Sequence, residues 1–346
     1  MVAGISQMSD WSPFAPEGRR SLRRLVIART SLVWSCGLIR CAGVILAVET
    51  PLHAQLPAPV EQAVAFRFGF SSEIVGDLNE SDAKAAMKVW GRTVVRERGI
   101  DAPAEPVFFA GLPEMIRAFE GGTVDAVSLT VPEYFALTRT AGANSILLGS
   151  YGGQAAEEYL VLTHRTSGIT RLEELRGRAI TVLHEPRTAL SEVWLETLLL
   201  RRSLGPADRF FAALHHQTKV TKVVLPVFFR QADACVVHRR AFDVLCELNP
   251  QLGRDLVILE TSPKLVPGLL CFRDAYQPAF RSDLITALTE LDRAPAGRQL
   301  LTIFQCDRIQ PGSDQDLASA RQLLDEYASL RRAAGITGVD PLATIP

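Results

Sequence analysis

The sequence predicts an α/β protein of two lobes, each a mainly parallel sheet flanked by helices, joined by a two-segment hinge. Three observations predict it. From residue 64 onward, short apolar runs alternate with segments of helical periodicity, the pattern of a parallel sheet covered on both faces. The runs fall into two groups, one before and one after the glycine-rich stretch Gly149-Ser150-Tyr151-Gly152-Gly153. Finally, the chain closes on helical segments with no strand of their own, so they must complete a sheet already made.

The first group opens with Val64–Phe70 as a strand running into Ser71-Ser72. Between Glu80 and Arg98 the apolar positions Ala83, Met87, Trp90 and Val94 recur every three or four residues. That makes an amphipathic helix, with Asn79 or Ser81 as its cap and Gly99 beyond its end. Val107–Phe109 reads as a strand, and Pro113–Glu120 as a short helix with proline at its start and Gly121 at its stop. Val124–Leu129 is a strand, Pro132–Thr140 a helix and Ser145–Leu148 a strand.

The second group repeats this logic. Tyr159–Leu162 and Ala179–Leu183 are strands, with a short helix at Arg171–Leu175 between them. Thr188–Leu204 is a long helix punctuated by Gly205-Pro206. Thr218–Arg230 is helical, shortened or kinked by Pro226. Ala234–Val237, Leu256–Leu259 and Gly268–Phe272 are strands, with Arg239–Leu248 a helix. Helices at Phe280–Leu291 and Ala318–Arg331 follow, and Thr337–Pro346 is expected to be a disordered tail. The chain should cross between lobes near Tyr159–Thr163 and Leu256–Phe272. This gives residues 1–54 as an export signal, 64–158 as the first part of lobe I and 159–260 as lobe II. Residues 261–332 complete lobe I, and 333–346 are the tail.

The export signal is read from Arg19, Arg20, Arg23, Arg24 and Arg29, followed by an apolar stretch from Ser31 to Val48 and then Pro51-Leu52-His53-Ala54. Cleavage is expected close to Ala54. A membrane anchor is the competing reading, but Arg40 inside the run costs roughly 2.5–3.5 kcal/mol on insertion scales. Cys36 and Cys41 have poor neighbours for lipid attachment. A periplasmic location follows.

Composition narrows the function. The 346 residues are 47% hydrophobic and 22% charged with a net charge of −1, which gives no basic surface for nucleic acid. Past the signal remain Cys235, Cys246, Cys271 and Cys306, without a C-x-x-C pair. Cys235 and Cys271 lie in apolar runs and are expected as buried free thiols. The sequence has no G-x-S-x-G, H-E-x-x-H, P-loop or dinucleotide fingerprint. No catalytic residue, metal or cofactor is therefore assigned. His215 and His216 are adjacent and point in different directions, so at most one could face a given ligand.

Three loops follow apolar strands, where open α/β sheets place their ligands. They are Ser71-Ser72-Glu73, Thr130-Val131-Pro132-Glu133-Tyr134 and His184-Glu185-Pro186-Arg187-Thr188-Ala189. Helix-start N–H groups with hydroxyls and one arginine can bind an anion, although Ser72, Thr130 and Thr188 could equally be plain caps. The candidate ligand residues are Ser71, Ser72, Thr130, Tyr134, Tyr151, Glu185, Arg187, Thr188, His215 and His216. Loss of Arg187 is expected to weaken binding while leaving the unliganded protein's stability almost unchanged.

Several stretches then resemble a known family. Ser81–Trp90 and Phe119-Glu120-Gly121-Gly122-Thr123-Val124-Asp125-Ala126 are similar to the first lobe of phosphate/phosphonate-type ABC-transporter substrate-binding proteins. Gly168–Arg178 and Arg230-Gln231-Ala232-Asp233-Ala234 resemble the second. The resemblance spans roughly Phe66 to Arg332. It implies a type II periplasmic-binding-protein fold, a ligand held between lobes and delivery to an ABC permease. The ligand is expected to be small and anionic or polar, and the protein a monomer. The family's Ser-Thr-Ser-Gly phosphoryl loop is here Glu185-Pro186-Arg187-Thr188-Ala189-Leu190, which separates the fold from the ligand specificity. Two other functions stay open. One is a ligand sensor docking on a membrane histidine kinase; the other is an enzyme on the same fold.

Overall fold

The computed structural model describes residues 65–76, 79–90, 92, 99–100 and 103–336. The expected export signal and linker, most of residues 91–98 (expected to continue the first long helix) and the expected tail at 337–346 lie outside these. Among the described residues no helix is long and apolar enough to cross a membrane.

Strand β1 (Phe66–Ser71) leads into a one-turn helix α1 (Ser72–Val75) and then α2 (Glu80–Trp90). Phe66, Phe68 and Phe70 alternate along β1 and are all buried, so one face of the strand carries three aromatic rings into a core. β2 (Ala104–Phe109) contains Pro106 and lies at the edge of its sheet, where a missing N–H costs no ladder bond. Helix α3 (Leu112–Glu120), strand β3 (Ala126–Thr130), helix α4 (Val131–Leu137) and strand β4 (Ala143–Ser150) complete the first run.

The second run comprises β5 (Tyr159–His164), β6 (Ala179–Leu183), α5 (Ser191–Arg201), α6 (Ala207–Phe210) and β7 (Ala213–Gln217). It continues through α7 (Val220–Phe228), β8 (Ala234–His238), α8 (Arg239–Leu248), α9 (Pro250–Asp255) and β9 (Leu256–Thr261). Residues 172–175, expected as a helix, form a 3-10 turn. Another 3-10 turn at Pro186–Thr188 precedes α5.

The chain returns as β10 (Gly268–Arg273), α10 (Arg281–Thr289), α11 (Pro295–Ile303), β11 (Arg308–Pro311) and α12 (Ala318–Ala333). Two of these elements, α11 and β11, were not anticipated. Gly297 lowers the helical propensity of α11, yet it is the residue that fits there, because a Cβ would run into the Leu291 carbonyl. β11 is four residues long with one β-branched apolar side chain, too short to show a period of two. Helix α10 therefore has strand company after all.

The strand orders are β11-β4-β10-β3-β1-β2 and β7-β6-β8-β5-β9. Both sheets are mixed rather than mainly parallel. In the first, β1 runs parallel to β2 and β3, while β10 is antiparallel to β3 and β4. In the second, β6 is parallel to β7 and β8, while β5 is antiparallel to β8 and β9. The physical reason is the chain's return. A segment that leaves one sheet and comes back through a hinge enters the sheet against its neighbours.

Phe66, Phe68 and Phe70 pack with Phe272 on β10 and with Leu284, Leu288, Leu300 and Leu301 from α10 and α11. α12, expected on the first lobe, packs along α5 instead. Arg201–Glu326 (2.7 Å) and Arg331–Glu196 (2.8 Å) tie the two helices, and Arg321 lies 4.1 Å above the Phe135 ring at the foot of the first lobe. Cys235 on β8 and Cys271 on β10 lie in different sheets as buried free thiols.

Candidate functional site

Two segments cross between the sheets, 151–158 out and 262–267 back. They run antiparallel and are stitched together. The Glu157 and Leu265 backbones exchange hydrogen bonds of 2.8 and 2.9 Å. The Tyr159 N–H donates to Ser262 Oγ (2.8 Å) and the Ser262 N–H to the Tyr159 carbonyl (2.9 Å).

A cavity of about 610 Å³ lies beside this hinge. The first lobe contributes Ser72 and Glu73 after β1, and the second contributes His184, Glu185 and Arg187 after β6. Both groups follow parallel strands, the expected place for a ligand in open α/β sheets. The lips meet: a Cβ on Gly76, which has φ +54°, would stand 3.2 Å from Pro186 Cδ.

Of the ten expected ligand residues, Ser72, Glu185 and Arg187 line this cavity. Ser71 and Thr130 do not; they are buried and committed to Glu133. The Glu133 carboxylate accepts from Ser71 Oγ (2.8 Å), Thr130 Oγ1 (2.8 Å) and the Thr130 N–H (2.7 Å) through one oxygen. Its other oxygen is buried without a partner. Burial outweighs these bonds and raises the Glu133 pKa. Tyr134 is buried one turn further on, its phenol pushed up to about 12 by burial.

Thr188 is a cap. Its hydroxyl reaches the Leu183 (2.7 Å) and Glu185 (2.9 Å) carbonyls and accepts from the Glu185 N–H (3.0 Å). Tyr151 sits outside the cavity, with the Arg240 guanidinium 3.2 Å and that of Arg187 5.4 Å from its ring. His215 and His216 are exposed on β7, an edge strand, and His216 Nε2 lies 2.9 Å from Glu192. Among the described residues no group of three or more His, Cys, Asp or Glu side chains could hold a metal.

Arg187 is already engaged. It forms an ion pair with Glu157 on the hinge and donates to the Gln305 carbonyl, which comes from the loop between α11 and β11. The Tyr159 hydroxyl donates to the Arg187 carbonyl (3.1 Å). Behind it stands His238, buried between two carboxylates: Nε2 is 2.7 Å from Glu185 and Nδ1 3.5 Å from Glu157. Burial opposes protonation of His238, but the hydrogen bonds to Glu157 and Glu185 outweigh it and raise its pKa. Glu157 shows the converse, with burial overcome by His238 and Arg187, so its pKa is lowered. The Ala241 N–H also approaches Nδ1 (3.3 Å), a contact open only to the neutral ring.

Glu133, Glu157, His238 and Gln305 were therefore missed. Thr130-x-x-Glu133 has the capping-box spacing and could have revealed Glu133. The other three meet across gaps of tens of residues, and no local pattern announces them.

Comparison with known proteins gives a consistent result. The family described as ABC transporter, phosphonate, periplasmic substrate-binding protein matches residues 75–317. XAC2383 from Xanthomonas citri, solved bound to chloride ion, shares 19% identity at a TM-score of 0.57, over 78% of this chain and 99% of that one. A binding-protein component of an ABC phosphonate transporter from Pseudomonas aeruginosa shares 14% at 0.56, over 81% and 92%. PhnD1 from Prochlorococcus marinus, solved with methylphosphonate, shares 11% at 0.53, over 76% and 98%. A sequence search of curated proteins returns no match. Two mixed sheets, a double-crossing hinge and a cavity between them make up the type II periplasmic-binding fold. The chain belongs to the phosphonate-type family of periplasmic substrate-binding proteins of ABC transporters, and is an extracytoplasmic solute-binding protein.

Proposed function

We propose that this protein closes its two lobes on a small solute with an oxyanion head and presents the closed form to an ABC permease. The cavity beside the hinge carries this reading, because both lobes wall it and closure buries whatever it holds. Ser72 and Glu73 meet the ligand from one side, and Glu185, Arg187 and Thr218 from the other. The oxyanion head rests on the family description, since Arg187 is shared with Glu157.

Binding proceeds without covalent chemistry. Cys306 is the thiol that lines the cavity, and burial pushes its pKa to about 11, which leaves little thiolate to act as a nucleophile. The working protein is a periplasmic monomer released by cleavage near Ala54. A sensor docking on a histidine kinase would use the same closed form, and uptake by a permease-deficient strain separates the two roles.

Native mass spectrometry of the protein as purified tests capture directly. A retained small molecule, displaced by methylphosphonate or a longer phosphonate in calorimetry, is the expected result. A protein that carries nothing and binds no oxyanion would sink the reading.

A further inference from the structure

We infer that the cavity takes an amphiphilic solute, with its alkyl or aryl part against the first lobe's core and its polar head at the lips. The inference rests on the capture reading and names the ligand class. Three observations carry it.

The first is size. About 610 Å³ falls within the range of pockets that enclose drug-sized ligands, and equals the share of roughly twenty water molecules. A solute the size of methylphosphonate would leave most of it unfilled.

The second is an asymmetry of the walls. The lips are polar, but the floor is made by Phe70, Leu147, Leu270, Leu300 and Phe304. Phe304, Ile303 and Ile309 pack on the first lobe's core yet stay only partly buried, and all three line the cavity. Ordered water needs two to four polar partners, and this floor offers almost none.

The third is charge. Among the described residues Arg187 is the one arginine or lysine lining the cavity, and Glu157 neutralises it. Glu73 adds negative charge at the lips, and the Glu185 carboxylate, paired with His238, offers no donor. A compact oxyanion entering here would trade its hydration for few new donors, so most of the affinity must come from apolar burial.

Calorimetric titration of the whole protein with methyl- to hexylphosphonate tests this. Each buried methylene should tighten binding about fourfold, so hexyl should exceed methyl by about 10³-fold, with a heat-capacity change that grows more negative along the series. Cys306→Phe, which fills the floor beside Gly149, should flatten the series. If that variant melts early, Phe304→Ala gives the complementary readout by shifting the best chain length upward. Methylphosphonate binding with no gain for hexyl overturns the apolar chamber and leaves solute capture standing. Binding of hexylamine or hexanol but of no phosphonate keeps the chamber and overturns the oxyanion head. Binding of none of these probes overturns both.

Discussion

The same dipeptide leads into one inner strand of each lobe, and the two do not carry the same weight. Asp125-Ala126 opens β3 and Asp233-Ala234 opens β8. In both lobes an arginine from the neighbouring parallel strand, or the residue before it, reaches the aspartate. Arg67 holds Asp125 through Nε (3.1 Å), Nη2 (2.9 Å) and its backbone N–H (2.8 Å). Arg178 holds Asp233 through one bond of 2.6 Å. The Asp125 side chain is 2% exposed and the Asp233 side chain 38%. The difference comes from the antiparallel strand on the other side. β10 lays Arg273 over Asp125, with its N–H on the Asp125 carbonyl (3.0 Å). β5 brings only the Thr163 hydroxyl to the Asp233 carbonyl (2.9 Å). The same local sequence is thus a buried pin in one lobe and a surface contact in the other, decided by a strand distant in sequence.

The sharpest way to break this comparison is to remove Asp125. Asp125→Ala orphans the Arg67 N–H and takes the carboxylate from its guanidinium, which keeps only the Gly122 carbonyl (2.7 Å). The charge-assisted bonds and the unsatisfied donor together should cost about 3–5 kcal/mol in urea unfolding. A loss under about 1 kcal/mol would mean that burial at this end of the first sheet does not matter.

The junction of the lobes should respond next. Arg187→Ala removes the partner of buried Glu157 and the bond to the Gln305 carbonyl. At about 1.5–3 kcal/mol for a charge-assisted bond, the unliganded protein should lose stability. The sequence alone suggested almost no loss, because a loop arginine beside a helix start reads as a ligand contact. Glu157→Gln should show part of the same loss. Wild-type stability in Arg187→Ala would show that the ion pair contributes nothing and return Arg187 to the ligand.

A smaller effect should appear with pH. His238 has a raised pKa in the fold, so its contribution is complete below about 6.5 and fades as pH climbs through the folded value. Glu157 has a lowered one, so its contribution is present above about 4.3 and fades as pH falls through the folded value. The hinge cluster is therefore firmest between these limits. His238→Gln should remove the loss on the alkaline side and also shrink the one on the acid side, because His238 helps to lower Glu157. Equal alkaline slopes for variant and wild type would exclude His238 as the source.

How much of this could be read from the sequence follows the distance between partners. Phe66, Phe68 and Phe70 announce β1 through a period of two, and Ala83, Met87 and Trp90 announce α2 through a period near 3.6, because each pattern lies within one element. The loops after β1 and β6 were identified for the same reason, and both line the cavity. Side-chain direction was not legible. Ser71, Thr130 and Thr188 sit in the right loops but spend their hydroxyls on Glu133 and on backbone carbonyls. The Glu157–Arg187–His238 cluster joins three segments that meet only once both crossings form. β11 and α11 were hidden by shortness and by a glycine.

The smallest effect is the most informative about the second lobe. Asp233→Ala removes one ion pair between side chains that are 42% and 38% exposed. Exposed pairs are typically worth 0.2–1 kcal/mol, since water solvates both charges and salt screens what is left. Arg178 keeps a second bond, from Nε to the Glu174 carbonyl (3.0 Å), so it stays in place when the aspartate is gone. The Asp233 carbonyl, which Thr163 uses, is backbone and survives the substitution. Asp233→Ala should therefore cost at most about 1 kcal/mol in low salt and almost nothing near molar salt. A loss near that of Asp125→Ala, unaffected by salt, would show the two aspartates to be equivalent after all.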